Sequence, residues 1–95
     1  MPEMTFRVRW PDGAIESCYS PSLVVKDFFQ PGQTYPLADF LARSRSALSI
    51  ASDRVEAKHG FRCSRAVRQL ARIEAACAGF AASPEAEVSV ESFQE

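Results

Sequence analysis

The stretch of sequence that decides the fold is residues 5–19, which read TFRVRWPDGAIESCY. Apolar and polar side chains alternate through its first half, which is the period of a strand that buries one face. Phe6, Val8 and Trp10 form the apolar face, and Asp12-Gly13 then marks a tight turn into a second strand. We therefore predict a β-hairpin over residues 1–20.

The turn determines which residues face each other across this hairpin. A two-residue type I′ turn requires positive φ at both central residues, and Asp-Gly is a favoured pair for it. The facing pairs are then Trp10 with Ile15, Arg9 with Glu16, Val8 with Ser17, and Phe6 with Tyr19. This register predicts that Ile15 and Tyr19 share the apolar face and that Cys18 lies opposite the core.

Residues 21–35 connect the hairpin to the rest of the chain and lose the strand period, with Pro31-Gly32 near their end. The segment is nevertheless too apolar for a solvated loop, because it contains Leu23, Val24, Val25, Phe28 and Phe29. We expect a short helical turn that begins near Ser22 and packs over one edge of the core.

Two helices are predicted next, over residues 36–59 and 62–80. Apolar positions recur at alternating spacings of four and three in each. The first stripe is Leu37, Leu41, Ser44, Leu48, Ala51 and Val55, and the second is Cys63, Ala66, Leu70, Ile73, Cys77 and Phe80. Gly60 suits the left-handed residue that closes a helix, and Ser64 is the expected N-cap of the second. The short connection makes the helices antiparallel neighbours.

Residues 85–92 contain Val88 and Val90 in alternation, which predicts a third strand that joins the hairpin. The predicted fold is one α+β domain over residues 1–95: a three-stranded antiparallel sheet covered on one face by the antiparallel pair of helices. Its predicted core is Phe6, Val8, Trp10, Ile15, Tyr19, Phe40, Leu41, Leu48, Val55, Val67, Leu70, Ile73 and Val88.

The composition narrows the class of protein. The chain has 95 residues, is 46% hydrophobic and carries a net charge of -1, which excludes a disordered chain and an overall basic surface for nucleic acid or anionic membrane. It shows neither a secretory leader nor an apolar run of membrane-spanning length, so we expect a cytoplasmic protein without membrane contact. Cys18, Cys63 and Cys77 form an odd set without CxxC spacing, which favours a reducing compartment and predicts no metal site and no cofactor.

Several stretches of the chain are distinctive in the identity of their residues as well as in their hydrophobic period. They are MPEM at 1–4, FRVRWPDG at 6–13, CYSPSLVVKD at 18–27, YPLADF at 35–40 and SRSAL at 44–48. In these stretches the chain resembles a family of small bacterial nitrogen starvation response proteins, and the resemblance extends through Phe80. It implies a link to nitrogen metabolism and a gene cluster shared with a nitrilase-superfamily carbon-nitrogen hydrolase and a radical SAM protein. It implies no catalytic residue.

Cysteine and histidine are the first candidates for chemistry, because a thiolate beside an imidazole is a nucleophile. Cys63 and Cys77 lie on the stripe of the second helix and are interpreted as packing residues. Cys18, off the predicted core face, is the candidate reactive thiol. A single histidine, His59, cannot build an imidazole-rich metal site, and no familiar catalytic motif occurs, so no catalytic residue is assigned.

Positive charge is concentrated in residues 43–72, which hold most of the eleven basic side chains. On the second helix Arg65, Arg68 and Arg72 stand at i, i+3 and i+7, with Arg62 and Gln69 on the adjoining flank. One interpretation is a solvated face, partly neutralised by the acidic C-terminal strand. The other is a docking surface for an acidic partner protein or an anionic ligand. Nucleic acid is not expected, because the chain has no overall basic excess.

The favoured function is a small non-enzymatic accessory or regulatory protein of nitrogen metabolism or the nitrogen starvation response. It would bind an acidic partner protein, for example a product of the same gene cluster, through Arg62, Arg65, Arg68 and Arg72. The alternative is a small-molecule-binding subunit or small enzyme of the nitrilase-cluster pathway that uses the 20–33 loop or Cys18. A homodimer is open under both, since one helical layer covers only one face of the sheet.

Overall fold

A computed structural model describes residues 2–83 and 85–95, so that Met1 of the predicted hairpin lies outside the described residues. Two helices pack on a four-stranded antiparallel sheet with the order β2-β1-β4-β3. The strands are β1 (Met4–Arg9), β2 (Ile15–Ser20), β3 (Gln33–Pro36) and β4 (Glu87–Gln94). The helices are α1 (Leu37–His59) and α2 (Ser64–Gly79), and a 3₁₀ helix spans Leu23–Asp27.

The sheet has four strands, so the prediction of three is wrong. The missed strand is β3, which lies at the end of the predicted 21–35 connection and pairs antiparallel with β4, with Tyr35 opposite Val88. Gly32 N donates to Val90 O at 2.7 Å, which joins the residue before β3 to the same partner. Four residues are too few to show a strand period, so this strand depends on β4 lying beside it.

The turn of the hairpin contains three residues, not two. Gly13 N donates to the carbonyl of Trp10 at 2.9 Å, and Trp10 N donates to the carbonyl of Ala14 at 2.8 Å, which leaves Pro11, Asp12 and Gly13 as the loop. Only Gly13 among these has positive φ, at 89°, which excludes the type I′ turn. Pro11 explains the difference, because its φ suits the first central position of a type I turn followed by a left-handed glycine.

One extra residue in the turn shifts the pairing register by one residue. Each side chain of β2 therefore lies on the face of the sheet opposite to the predicted one. The observed pairs include Arg9 with Ile15, Val8 with Glu16, and Phe6 with Cys18. Cys18 is therefore fully buried, whereas Ile15 is 42% exposed and Tyr19 is only half-buried. The predicted core positions of Ile15 and Tyr19 and the predicted position of Cys18 off the core are wrong, because side chains of a strand alternate between faces.

Both long helices are confirmed to within two residues of their predicted ends. Gly60 has φ of 82° and closes α1, with its N–H donating to Glu56 O at 2.8 Å. The predicted turn near Ser22 is the 3₁₀ helix, which Ser22 caps by accepting from Val24 N. Ser64 is the first helical residue of α2 and not its N-cap; Cys63 takes that position without a side-chain cap bond.

Aromatic rings form the centre of the core, on the face of the sheet that the helices cover. The ring of Phe29 lies 5.1 Å from Tyr35, 5.3 Å from Phe40 and 6.0 Å from Phe6 between centroids. Trp10 is 4% exposed and packs against Phe40 at 5.5 Å. Phe29 and Tyr35 were absent from the predicted core, because they come from the segment without a period.

The remaining core predictions divide by exposure. Those confirmed as buried are Phe6, Val8, Trp10, Phe40, Leu48, Ile73 and Val88. Leu41 and Leu70 are partly buried against this core, and Val55 is half-buried. Val67 is 49% exposed, so its assignment to the core is wrong: it follows Ala66, which occupies the buried stripe, and points off that stripe.

The other face of the sheet is polar. Arg9 Nε lies 2.8 Å from Glu91 Oε2, and the Thr34 and Ser89 hydroxyl oxygens lie 3.0 Å apart across the β3–β4 pair. This is the usual arrangement of an antiparallel sheet that packs on one side only. In the ranges 2–83 and 85–95 the structure contains no helix of the length and apolar character that crossing a membrane requires.

Candidate functional site

The arginine row of α2 lies along β2, the edge strand of the sheet. Arg65, Arg68 and Arg72 line a shallow cavity of about 240 Å³ together with Tyr19 and Gln69. Their spacing of three and four residues places them on one side of the helix, as the sequence indicated. The Gln69 carboxamide oxygen accepts from Tyr19 N at 2.9 Å and attaches this side of the helix to the strand.

Arg62 does not belong to this cavity lining. Its Nη1 lies 3.3 Å from Asp53 Oδ1, so its charge is paired with an acidic side chain of α1. The predicted set of four arginines therefore divides into three that line one cavity and one that is turned toward the other helix.

Arg65 lies over an aromatic ring. Its guanidinium carbon is 3.8 Å from the centroid of Tyr19, a cation–π contact. The Tyr19 hydroxyl donates to Glu3 Oε2 at 3.0 Å. Burial, followed by this hydrogen bond, raises the pKa of Tyr19 to about 12, although Arg65 acts in the opposite direction. The phenol therefore stays protonated, and the face of its ring contacts the Arg65 guanidinium.

Arg72 is held by a carboxylate of the edge strand. Its Nη2 and Nε lie 2.9 Å and 3.2 Å from the two oxygens of Glu16, a bidentate contact. The hydrogen bond to Glu16 is the first cause that raises the pKa of Arg72. Glu16 Oε1 also accepts from Trp10 Nε1 at 3.2 Å, so this carboxylate joins the arginine row to the core.

Arg68 stands between these two anchored arginines. Within residues 2–83 and 85–95 it forms no ion pair and no side-chain hydrogen bond, and it is exposed. The row therefore presents one unpaired guanidinium flanked by two whose positions are set by Tyr19 and Glu16.

The acidic side chains of the C-terminal segment form their ion pairs outside the arginine row. Glu91 pairs with Arg9 at 2.8 Å, and Glu95 pairs with Lys26 at 2.7 Å. Among the described residues neither carboxylate forms an ion pair with an arginine of α2, although Glu95 lines a cavity together with Arg65 and Tyr19. Within residues 2–83 and 85–95 the ion pair to the arginine row comes from Glu16, and Glu3 and Glu95 line a cavity with Arg65.

Cys18 lies in the core, directly under the helices. It is 0% exposed, and burial raises the pKa of its thiol to about 12, with Glu16 adding to the shift and Arg72 opposing it. Burial likewise raises the pKa of Cys77. Cys63, at the start of α2, is only half-buried. The position of Cys18 is that of a packing residue and not of an activated nucleophile.

The 20–33 loop borders a polar cavity of about 270 Å³. Arg43 lines it, lies 5.0 Å from the centroid of the Tyr35 ring and donates to the Phe28 carbonyl at 2.7 Å. The Tyr35 hydroxyl accepts from Gln30 N at 2.9 Å. Much of the polar surface of this loop is thus engaged in contacts that hold the loop itself.

A larger and more apolar cavity, of about 430 Å³, lies between the beginning of α1 and the end of α2. Leu37, Leu41 and Cys77 contribute to its lining, together with the Arg45–Glu74 ion pair at 3.0 Å. Sequence reasoning missed it, because its lining comes from both helices and from the segment after α2. Among the described residues, no group of three or more His, Cys, Asp or Glu side chains is placed to hold a metal ion.

Sequence reasoning also missed Tyr19 as part of the arginine cavity. The assumed turn placed this ring on the core face, so its availability to Arg65 was hidden by the register error. Gln69 was recognised on the correct flank, but its bond to β2 joins residues fifty positions apart and leaves no local signal.

Fold and site together define a small α+β protein whose edge strand is flanked by a row of arginines. The chain belongs to the family of the nitrogen starvation-induced protein NitG, whose model matches residues 5–93. That match runs from β1 to β4 and confirms the family resemblance. No curated protein and no solved structure gives a significant match.

Proposed function

We propose that this nitrogen starvation-induced protein is a non-enzymatic accessory or regulatory protein that binds an acidic partner protein through Arg65, Arg68 and Arg72. The observation that carries the proposal is the position of Arg68, an exposed cation that has no partner among the described residues and stands between two arginines held in place. A carboxylate of a partner can form a bidentate contact with such a guanidinium.

The two flanking arginines support binding by being ordered before the partner arrives. Arg65 is held by Tyr19 and Arg72 by Glu16, so both lose little side-chain freedom on association. Long-range attraction between the row and an acidic surface also accelerates encounter, with a rate that falls as salt is added.

The proposed partner is a protein and not nucleic acid. The chain carries a net charge of -1, and the carboxylates of Glu3 and Glu16 stand within the same neighbourhood as the row. The phosphates of a long nucleic-acid backbone would be repelled by these carboxylates. A short acidic patch on a protein can contact the arginines without approaching the carboxylates. An enzyme encoded in the same gene cluster, such as a carbon-nitrogen hydrolase, is the proposed source of that surface, in the cytoplasm.

Affinity purification of the tagged protein from nitrogen-starved cells, followed by a binding titration with the purified partner, tests this function. Arg68→Glu should abolish binding and wild-type affinity should fall with salt. Lys58→Glu is the matched control, because it makes the same charge change on an exposed position of α1 and should leave affinity unchanged. Equal affinity of the two variants would refute the proposed surface.

The second candidate function is small-molecule binding beside the 20–33 loop, favoured by the 270 Å³ cavity that Lys26 and Arg43 border. An NMR titration with small nitrogen-containing metabolites would show shifts confined to that loop if this function is correct. A homodimer that pairs the polar faces of two sheets is tested by sedimentation, which measures the mass of the protein in solution.

A further inference from the structure

The outer edge of β2 has unpaired backbone groups beside the arginine row. Tyr19 N points to this edge, because it donates to Gln69 of α2 and not to β1. In a strand the N–H and C=O of one residue point to the same side, and residues two apart share that side. The peptide groups of Ser17 and Ile15 therefore point outward as well, and within the described residues they have no hydrogen-bond partner.

A groove runs along this edge. The cavity of about 240 Å³ that contains Tyr19, Arg65 and Arg68 adjoins another of about 250 Å³ that contains Ala14 and Glu16, and Arg72 lines both. Residues of α2 line one side of both cavities, and residues of β2 line the other side, Tyr19 in the first cavity and Glu16 in the second. The groove therefore offers backbone hydrogen bonds and positive charge to one occupant.

We propose that this groove binds an extended acidic segment of a partner protein, which pairs with Ile15–Ser17 as an added strand and directs carboxylates at alternate positions toward Arg68 and Arg72. This inference rests on the proposed function and names the form in which the partner is recognised. Strand addition explains affinity through main-chain bonds, and the alternation of side chains in the added strand supplies the match to the row.

Charge complementarity favours this occupant over a second copy of the chain. A two-fold pairing of β2 with β2 would extend the sheet and place both α2 helices on the same face of it. Their arginine rows would then confront each other, and the repulsion would oppose association. An acidic strand is attracted to Arg68, which forms no ion pair among the described residues, and Arg72 compensates the charge of Glu16. Glu3 accepts from a neutral hydroxyl and keeps its charge, so the carboxylates of the strand would lie toward Arg68 and Arg72 and away from Glu3.

The test uses a defined probe, the acetylated and amidated peptide (Glu-Thr)₅ with a fluorescent label, measured by anisotropy against the full-length protein. Two comparison peptides carry the same charge. One has the same residues in block order, Glu₅Thr₅, and lacks the alternation. The other is (Glu-Thr)₅ with the Thr amides N-methylated, which removes strand hydrogen bonds.

The protein variants distinguish the contribution of main-chain hydrogen bonds to binding from the contribution of charge. Ser17→Pro removes an outward N–H without a partner in β1, and an edge strand tolerates proline at such a position. Ser17→Ala keeps the N–H and is its matched control. Arg68→Glu removes the charge contact that the proposed function and the added strand share.

We expect Ser17→Pro and N-methylation each to weaken binding about tenfold or more, as the loss of main-chain bonds predicts, while Ser17→Ala leaves it unchanged. In ¹H–¹⁵N spectra the Ile15 and Ser17 amides should shift on addition of the alternating peptide. If all three peptides bind equally and only Arg68→Glu weakens them, strand addition is wrong and the proposed function stands.

If Arg68→Glu leaves the peptide affinity unchanged, both the proposed function and the proposed strand addition are wrong. If wild type alone is a dimer that Ser17→Pro dissociates, the edge binds a second copy and the inference is overturned. If the Ser17→Pro variant does not fold, the test depends on the affinity of the N-methylated peptide for the wild-type protein. Unchanged affinity would overturn the proposed strand pairing.

Discussion

Cys18 lies directly opposite Phe6 across the β1–β2 pairing, on the face of the sheet that the helices cover. A two-residue turn would have placed Tyr19 there instead. The three-residue turn at Pro11, Asp12 and Gly13 thus exchanges a thiol for a phenol in the core and releases the phenol to Arg65. One residue of turn length determines both the burial of Cys18 and the position of Tyr19 in the arginine cavity.

The burial of Cys18 predicts the order in which the thiols react. We expect native-state labelling by a soluble thiol reagent to modify Cys63 first and Cys18 about a hundredfold or more slowly, because access to Cys18 requires the core to open. Mass spectrometry of variants that each retain one cysteine measures the three rates. Faster labelling of Cys18 would instead restore it as the reactive thiol.

The raised pKa of Cys18 predicts a loss of stability at alkaline pH. The folded thiol ionises near pH about 12, whereas an unfolded thiol ionises near about 8.5, so the unfolded state loses its proton first as pH rises. The free energy of unfolding should fall by up to about 1.4 kcal/mol per pH unit above about 8.5 and be unaffected below.

Urea unfolding at pH 7, 9 and 10, compared with Cys18→Ala, isolates this effect, because Tyr19 and the other titrating groups are common to both proteins. Parallel pH dependences of the two proteins would show that Cys18 is not buried from solvent.

Trp10 is expected to be a principal anchor of the core. Trp10→Ala should lower the free energy of unfolding by about 3 to 5 kcal/mol, since it removes contacts with Phe40 and Phe80. Trp10→Phe keeps a ring but loses the bond to Glu16, and about 1 to 2 kcal/mol is expected.

The matched control for Trp10 is Ile15→Ala. Ile15 is 42% exposed in the observed register and should contribute less than about 1 kcal/mol. If Ile15→Ala destabilises the protein as much as Trp10→Ala, the two-residue turn and its register were correct.

Two glycine substitutions test the conformation of the turn. Gly13→Ala should destabilise by about 1 kcal/mol, because φ of 89° is unfavourable for a residue with a Cβ atom. Gly79→Ala should stabilise by about 0.5 to 1 kcal/mol, because Gly79 is helical and a Cβ there meets no atom within 4 Å. Thermal denaturation of both variants measures the difference, and the same sign for both would contradict the turn.

Arg68 and Arg72 should differ in their effect on folding. Arg68→Glu is expected to leave the melting temperature within a few degrees, as a change at an exposed position without partners does. Arg72→Glu should lower it further, because it brings a second carboxylate against Glu16. Scanning calorimetry at low salt compares the two, and the difference should shrink as salt is added. A larger loss with Arg68→Glu would mean that it has an internal partner.

The sequence by itself determined the features that arise from neighbours along the chain. The stripe from Leu37 to Val55 and the glycine at 60 predict α1 and its end, because a helix bonds each residue to one four positions away. The alternation of Phe6, Val8 and Trp10 likewise predicts the buried face of β1. The spacing of Arg65, Arg68 and Arg72 also predicts that they share one side of α2.

The tertiary structure decided what depends on distant partners. β3 exists because β4 lies beside it, and the register of β2 follows from a turn in which Pro11 takes part. The contacts of Arg65 with Tyr19 and of Arg72 with Glu16 join residues far apart in the chain. Strand pairing and ion pairing carry no local period, since either partner satisfies its bonds only when the folded chain brings the other within reach.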